Sequence, residues 1–352
     1  MKVLIVCNYP SAYGGNFIPS IISFAKCVIS DGGECIFMFP IQAKNREWIK
    51  ELVCFGNIEF FGEDENKDII KLEKYEFDTV YYHFSPKIIY KIYKKYPCCK
   101  FIRHSHTDMG AKGLIHKIKL VIKKVLFFNK TKNIYVSEKL LKEENIKNSL
   151  YLPNGLDFSR FPLEEKESIR SDFRTKNGIP DDAFVFLHFA WYPYIKGTDI
   201  AIKAFAQFFN NHDNVYLMIV VGENTDVSEL QALYSNINGI DSHILLVNPR
   251  QDVETYHFTS DLYLLTSRSE GFSYSVLEAL YSGEKVIATN LSGTKWSNNY
   301  GALLFEKEND LDCFCQMENA YQMKNVIDVR EKLKNDFSLD NWSRQVVKYI
   351  NE

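Results

Sequence analysis

The chain has 352 residues, which at about 150 residues per domain corresponds to roughly two domains. Hydrophobic residues make up 46% and charged residues 25%, a balance that excludes disorder over most of the length. The 42 basic and 45 acidic side chains leave a net charge of −3, which lacks the broad positive field of a general nucleic-acid binder.

Buried strands and helices alternate through the first half of the chain. The N-terminal KVLIVCNY is a buried-strand run, and Phe17 to Ile29 has apolar residues at helical spacing. Further strand candidates are ECIFMFP, NIEFFG, DTVYYHFS, CKFIRHSH and KNIYVSE. This alternation predicts βαβ units and a parallel sheet covered by helices on both faces.

The sequence shows no targeting or metal-binding pattern. No apolar run reaches the roughly 18 residues that could span a membrane, and the N-terminus becomes polar too early for a signal peptide. The eight cysteines show no CxxC spacing and no histidine at ligand spacing. We therefore expect a cytoplasmic protein with reduced thiols, no bound metal and no cofactor.

A lysine-rich segment without acidic residues extends over residues 109–137. Its apolar residues share one stripe of a helical wheel, and its lysines lie on the flanks and back. The lysines are Lys112, Lys117, Lys119, Lys123, Lys124, Lys130 and Lys132. The stripe predicts packing on the N-terminal sheet, and the lysine face is also a candidate for contact with an anionic membrane surface. No nucleic-acid-binding motif accompanies the charge.

The alternation pauses near residue 150 and then restarts. YLPNGLDFSRFP holds two prolines and an Asn-Gly pair, which indicate turns. After it come FVFLHFAW, a helix from Thr198 to Phe209, VYLMIVVG, HILLVN, DLYLLTS, a helix over Ser275–Tyr281, and KVIATN. The segment 325–351 is predicted to be helical and polar. We expect an α/β fold of two doubly wound Rossmann-like domains facing a central cleft, with ligands at the carboxyl ends of the strands.

The strongest chemical signal is SEGFSYSVLEALYSG, residues 269–283, which follows a predicted strand and opens a helix. Gly271 lets the backbone approach a ligand closely, and the N–H groups at the helix start suit a phosphate or a sugar hydroxyl. The carboxylates of Glu270 and Glu278 can accept sugar hydroxyls. Alternatively, Ser275 and Glu278 fit a capping box, in which Glu278 only bonds back to the helix start. On the residues alone, both interpretations stay open.

Further segments form an ordered set with this one. They are YGGNF near the N-terminus, FIRHSHT (101–107), NGLDFSRF (154–161), YIKGTDIAIKAF (194–205) and YSGEKVIAT (281–289). Together with EGFSYSVLEA, they resemble the family-4 retaining glycosyltransferases of the GT-B fold that build capsule, exopolysaccharide and O-antigen. The resemblance implies an acceptor-binding domain over 1–160, a donor-binding domain over 161–330, and a C-terminal helix over 331–352 that can cross back to the first domain.

The resemblance also implies roles for individual residues of the second half. Glu278 would bind the donor ribose, and Glu270 would lie beside the transferred sugar and its leaving phosphate. Lys196 would neutralise the diphosphate, which gains negative charge in the transition state. Backbone N–H groups would reach the sugar from Gly271, Phe272 and Ser273.

In the first half, the resemblance implies that the loop with Gly14 and Gly15 approaches the donor phosphate or the acceptor. A sugar-contacting histidine is implied at His104, with His106 as the second choice. For each of these residues a purely structural role is the alternative: an ordinary βα turn for the glycines, and a satisfied loop or core residue for the histidines.

Two departures from the family pattern concern the diphosphate. The family commonly has Gly-Arg five to six residues before the lysine, where this chain has Ala190 and Trp191. Arg250 or Arg268 could supply the missing positive charge. The segment SGTKW, 292–296, also lacks the acidic residue that many members carry after the glycine.

The function implied is a retaining, metal-independent hexosyltransferase in bacterial surface polysaccharide synthesis. It would move a sugar from a UDP- or GDP-sugar to a saccharide or polyprenyl- or lipid-linked acceptor, in the cytoplasm or peripherally on the inner membrane face. The alternatives are a non-catalytic GT-B partner subunit, a nucleotide-sugar epimerase and a phosphorylase, although a phosphorylase is usually much longer. A dinucleotide dehydrogenase is disfavoured because YGGNF lacks the GxGxxG pattern.

Overall fold

The computed structural model describes residues 1–62, 64–106, 130–222 and 225–352. The chain divides into two compact units. The first comprises Met1–Asp157 together with Phe337–Glu352, and the second comprises Phe158–Asp336.

The first unit is built on a seven-stranded parallel sheet in the order β3-β2-β1-β4-β5-β6-β7. Its strands are β1 Lys2–Cys7, β2 Glu34–Pro40, β3 Asn57–Phe61, β4 Thr79–His83, β5 Lys100–Ser105, β6 Lys132–Tyr135 and β7 Ser149–Tyr151. Residues Val3 to Cys7 of the central strand are fully buried. A strand covered on both faces takes a continuous apolar run rather than an alternating one, as KVLIVC does.

The second unit repeats this plan with six parallel strands in the order β10-β9-β8-β11-β12-β13. They are β8 Phe184–Ala190, β9 Val215–Val221, β10 Ile244–Val247, β11 Leu262–Leu265, β12 Lys285–Thr289 and β13 Leu303–Phe305. The strand order reverses between β8 and β11, and ligands bind near such a reversal in open parallel sheets.

Helices connect the strands in both units. In the described part of the chain they are α1 Phe17–Ser30, α2 Ile49–Leu52, α3 Glu65–Ile70, α4 Ile89–Lys95, α5 Glu138–Glu144, α6 Lys166–Asn177, α7 Pro193–Lys196, α8 Thr198–Phe209, α9 Val227–Ala232, α10 Glu254–Thr259, α11 Tyr274–Ser282, α12 Asp310–Gln322, α13 Arg330–Phe337 and α14 Leu339–Asn351. Among the helices described, none has the length and apolar character to cross a membrane.

The C-terminal helix α14 completes the core of the first unit. Its buried residues Leu339, Trp342, Val346 and Ile350 recur at three- and four-residue spacing, which places them on one face. They join the same apolar cluster as the buried face of α1, and the Oγ atoms of Ser343 and Ser23 lie 2.7 Å apart. Apart from Ser343, which is buried, the polar residues of this helix belong to its outer face.

The structure confirms the α/β fold of two doubly wound, parallel-stranded units. It adds β7 and β13, two strands of three residues each that are too short to give a periodic sequence signal. Most of the lysine-rich segment lies outside the described residues. Lys132, which the helical interpretation counts on the lysine face, opens β6, as the strand candidate KNIYVSE predicts. Its ammonium group donates to the carbonyl of Tyr349 at 2.7 Å.

Candidate functional site

The loop between β11 and α11 carries the strongest sequence motif and sits at the carboxyl end of a central strand. Ser273 caps α11, and its Oγ accepts a hydrogen bond from the N–H of Val276 at 3.4 Å. Ser275 lies inside the helix, and its Oγ accepts from the hydroxyl of Tyr263 at 2.7 Å. A capping box would need its glutamate at the third helical position, which is Val276. The capping-box interpretation of Glu278 is therefore wrong.

Glu270 and Lys196 meet, although 74 positions separate them in the sequence. The Nζ atom of Lys196 lies 2.6 Å from Oε1 of Glu270, and the Oγ of Ser267 donates to the same oxygen at 2.7 Å. The side chain of Lys196 keeps 24% of its surface exposed, against 10% for Glu270. The pair thus places a partly exposed cation beside a nearly buried carboxylate.

Backbone contacts hold the lysine against the motif loop. The hydroxyl of Thr266 donates to the carbonyls of Lys196 and Gly197 at 3.0 and 2.8 Å. The N–H of Arg268 donates to the carbonyl of Ile195 at 2.8 Å. These bonds tie the end of α7 to the loop after β11, so the cation has a fixed place relative to Glu270.

Gly271, Phe272 and Ser273 follow Glu270 into the start of α11. The ring of Phe272 stacks on Trp296, with centroids 4.9 Å apart and planes 12° from parallel. A side chain at Gly293 would place its Cβ 2.3 Å from the carbonyl oxygen of Glu270. The segment SGTKW therefore supports the motif loop by close packing.

Glu278 lies on the buried side of α11, next to two residues that sequence reasoning missed. These are His257 and Glu284. The Oε2 atom of Glu278 is 3.6 Å from Nε2 of His257, and Nδ1 of His257 is 2.5 Å from Oε2 of Glu284. Burial alone lowers the pKa of His257, but the carboxylates of Glu284 and Glu278 outweigh it and raise that pKa to about 9. A single histidine in a short helix gives no sequence signal, because its partners come from two other elements.

In the first unit, His104 and His106 belong to a cluster that also contains His83. The hydroxyl of Tyr81 lies 2.6 Å from Nδ1 of His104, and Nδ1 of His83 lies 2.8 Å from Nε2 of His106. Burial lowers the pKa of all three histidines, that of His106 to about 3. The cluster is therefore neutral at physiological pH and can donate or accept hydrogen bonds without carrying charge.

This cluster has the residue types of a metal site. One ring nitrogen from each histidine lies within 4.8 Å of the others. A metal would have to replace the hydrogen bond between His83 and His106, and imidazoles alone would supply no negative charge. The geometry describes a hydrogen-bonded histidine cluster, and metal independence stays a prediction.

The loop after β1 carries the two adjacent glycines. The hydroxyl of Tyr9 donates to the carbonyls of Tyr13 and Gly14 at 2.9 and 3.3 Å. Gly15 has a φ of +54°, a conformation that favours glycine. These glycines form a tight, internally bonded turn, so the interpretation as an ordinary βα turn stays open.

The arginines suggested as substitutes for the missing basic residue already have carboxylate partners. Arg268 bonds both carboxylate oxygens of Asp199 at 2.8 and 2.9 Å and packs over the ring of Tyr194. Arg250 pairs with Asp252. Trp191 packs near Gly222, where an added Cβ would approach its ring to 2.9 Å. Of the three basic residues considered for this site, all within the described part of the chain, Lys196 is the one that pairs with Glu270 of the motif loop.

The second unit thus brings together a partly exposed cation, two carboxylates and the start of a helix at the carboxyl ends of β8 and β11. This arrangement can bind an anion beside a hydroxyl-rich group. The fold matches GT-B glycosyltransferases of known structure. One is a glycosyltransferase from Rickettsia africae ESF-5, with a TM-score of 0.82 and 17% identity over 99% of this chain and 97% of that chain. Another is Anabaena Alr3699/HepE in complex with UDP and glucose, with a TM-score of 0.81 and 18% identity over 100% and 99% of the two chains.

Residues 169–313, which lie within the second unit, match the family model "Glycosyl transferases group 1". This match confirms the resemblance to glycosyltransferases of the GT-B fold that the sequence motifs indicate. An alpha-monoglucosyldiacylglycerol synthase of Streptococcus pneumoniae is 26% identical over 55% of this chain, which aligns with only 45% of that protein. An Escherichia coli UDP-Gal:alpha-D-GlcNAc-diphosphoundecaprenol alpha-1,3-galactosyltransferase is 24% identical over 86% of this chain and 80% of that protein.

Proposed function

We propose that the chain is a retaining hexosyltransferase that takes a sugar from a UDP- or GDP-sugar. The observation that carries this proposal is the Lys196–Glu270 pair, whose Glu270 lies in the loop that leads into α11, with Glu278 on that helix. Lys196 would bind the diphosphate, and Glu278 would accept the ribose hydroxyls. Glu270 would lie beside the transferred sugar, with the N–H groups of residues 271–273 reaching the sugar and phosphate.

The proposed chemistry needs no enzyme nucleophile. The bond from the anomeric carbon to the diphosphate oxygen breaks, and the acceptor oxygen attacks from the face that the diphosphate leaves. Because attack and departure take place on the same face, the configuration is retained, and the departing phosphate takes the acceptor proton. Lys196 stabilises the charge that develops on the diphosphate, a task that many transferases give to a metal ion. On this basis we propose a metal-independent reaction.

A saccharide or lipid-linked acceptor is the second part of the proposal. The names of two relatives support it, one a synthase of a glycosyldiacylglycerol and the other a transferase to a diphosphoundecaprenol acceptor. In the first unit, His104, and after it His106, are our candidates for sugar contact. Lysines of the Lys112–Lys132 region would attract anionic lipid, which fits a peripheral enzyme of surface polysaccharide synthesis at the inner membrane face.

The test is a panel of nucleotide sugars in thermal-shift assays, followed by transfer assays with the nucleotide sugar that binds. A ligand that binds only the folded state raises the melting temperature by mass action. We expect a UDP- or GDP-sugar to do so, and we expect Glu278→Ala to abolish the shift. Glu229→Ala, an exposed glutamate of the same unit, is the control. A chain that binds no nucleotide sugar, or a Glu278→Ala variant with normal transfer, would overturn the proposal.

A non-catalytic partner subunit is the second candidate. It is favoured by Ala190 and Trp191 at the positions of the family's Gly-Arg and by the carboxylate partners of Arg250 and Arg268. Slow hydrolysis of the bound nucleotide sugar by the isolated chain distinguishes the two. An enzyme releases free sugar, and a partner subunit binds without turnover.

A further inference from the structure

The most unusual polar group of the second unit is a histidine enclosed by two carboxylates. His257 of α10, Glu278 of α11 and Glu284, directly before β12, are all buried. Nδ1 of His257 lies 2.5 Å from Glu284, and Nε2 lies 3.6 Å from Glu278. Both ring nitrogens thus face an acid, and three separate elements supply the three residues.

The surroundings of the ring are otherwise aromatic. Phe189 and Tyr263 lie against it, with centroids 5.5 and 5.7 Å from that of His257. Such a site gives little solvent screening, so charges within it interact strongly. Two buried carboxylates without a cation between them would repel each other and favour protonation.

The other titratable groups that act on this cluster are few. Lys166, whose ammonium group donates to the carbonyl of Ser282 at 2.8 Å, acts on Glu284, as does Asp261. Glu254 and the hydroxyl of Tyr263 interact electrostatically with Glu278. Arg330 and Arg170 act on Lys166, and Arg160 acts on Glu254. Of the described residues named here, His257 is the one that contacts both the Glu278 and the Glu284 carboxylates.

We propose that His257 is a positioning residue for the donor: its imidazolium, anchored by Glu284, holds the carboxylate of Glu278 by charge attraction and keeps it turned toward the ribose. This inference rests on the proposed function, in which Glu278 accepts the ribose hydroxyls. An ionised carboxylate can accept two hydroxyl donors, and a charged partner fixes its orientation more strongly than a neutral one. The state of His257 therefore sets how well Glu278 can bind a ribose.

The sign of the expected pH dependence follows from the charge. The pKa of His257 is raised to about 9, so wild-type protein keeps the imidazolium through neutral pH and loses it as the pH rises through about 9. Glu284→Gln removes one of the two acids that raise this pKa. The variant should therefore lose the imidazolium at a lower pH than the wild type.

The test titrates UDP-glucose, and in parallel GDP-mannose, into wild type and Glu284→Gln by calorimetry between pH 6 and pH 9. For each nucleotide sugar, the affinity of the variant is divided by that of the wild type at the same pH. This ratio cancels any titration of the ligand itself. We expect nearly equal affinities at pH 6 and a variant about tenfold weaker near pH 8.5, the size of one hydrogen bond to a charged group. A ratio that stays constant over this range means a purely structural role for the cluster and overturns the inference.

His257→Gln gives an independent test, and it serves alone if Glu284→Gln does not fold. The glutamine amide can donate to Glu278 but carries no charge, so this variant should bind the nucleotide sugar weakly near pH 7. Above about pH 9 the wild-type His257 has also lost its charge, so the two affinities should become similar. Failure of the proposed function has a different signature. In that case neither nucleotide sugar binds to wild type, or Glu278→Ala binds it normally, whatever the ratios of the other variants.

Discussion

Gly197→Ala tests the connection between α7 and the loop after β11. Gly197 has a φ of +66°, and a Cβ there would lie 2.0 Å from the carbonyl oxygen of Thr266. The atom it meets is backbone, which cannot rotate away. Gly178 offers a matched control, because its φ is +67° and a Cβ there meets nothing within 4 Å. Both substitutions strain the backbone, and only the first adds a collision.

The magnitudes separate the two variants. The left-handed conformation costs an alanine about 1–2 kcal/mol at either position. Forcing extra atoms into a packed site adds about 1–3 kcal/mol, so Gly197→Ala should lower the free energy of unfolding by about 2–5 kcal/mol. Gly178→Ala should lower it by only about 1–2 kcal/mol. Equilibrium urea denaturation of both variants measures the difference.

The same collision should affect ligand binding. If Thr266 and Gly197 separate, Lys196 moves away from Glu270, and the affinity for the nucleotide sugar falls in a protein that is still folded. Gly178→Ala should bind normally. Equal stability losses in the two variants, or unchanged affinity in folded Gly197→Ala, would refute the reasoning from the Thr266 contact.

Three further predictions concern charge and burial. Lys196→Ala should weaken nucleotide-sugar binding about 10–100-fold, since hydrogen bonds to charged groups contribute about 1.5–3 kcal/mol. Lys203→Ala, on the exposed face of α8, should leave binding unchanged. Equal effects of the two substitutions in calorimetry would contradict the placement of Lys196 in the site. The raised pKa of His257, about 9 against 6.5, should stabilise the fold by about 3 kcal/mol below pH 6.5 and lose this contribution as the pH rises through 9. His257→Gln should flatten that dependence in urea denaturation, and an unchanged slope would mean that another group titrates. Arg174→Met should destabilise by about 3–5 kcal/mol, because the buried guanidinium joins several carbonyl groups and one carboxylate. The exposed Arg344→Met should cost less than about 0.5 kcal/mol. Similar losses in the two arginine variants would contradict the structural role of Arg174.

The fold was predictable because apolar runs and turn residues carry it. The runs KVLIVC and FVFLHFA mark the central strands, and both are buried throughout most of their length. The short strand Leu303–Phe305 escaped prediction because three residues show no period. Lys132 was counted both on the lysine face of a helix and in the strand candidate KNIYVSE, because charge composition does not report where a helix ends. The structure places it in the strand.

The candidate site was predictable where local sequence determines it. The Glu270 loop and the start of α11 follow directly from EGFSYSVLEA, although the helix is capped by Ser273 and not by Ser275. The pairing of Lys196 with Glu270 and the enclosure of His257 depend on elements that are distant in sequence. A lone histidine in a helical segment does not reveal such partners, because burial and pKa arise from tertiary packing.

The most direct test of the donor site is the affinity of one nucleotide sugar for the wild type and for Glu278→Ala, measured by calorimetry at pH 7. The Glu278 carboxylate lies on α11, within the same unit as the Lys196–Glu270 pair. We expect measurable binding to the wild type and a loss of at least about tenfold in Glu278→Ala, as for one hydrogen bond to a charged group. Equal affinities in the two proteins would contradict the assignment of Glu278 to the donor.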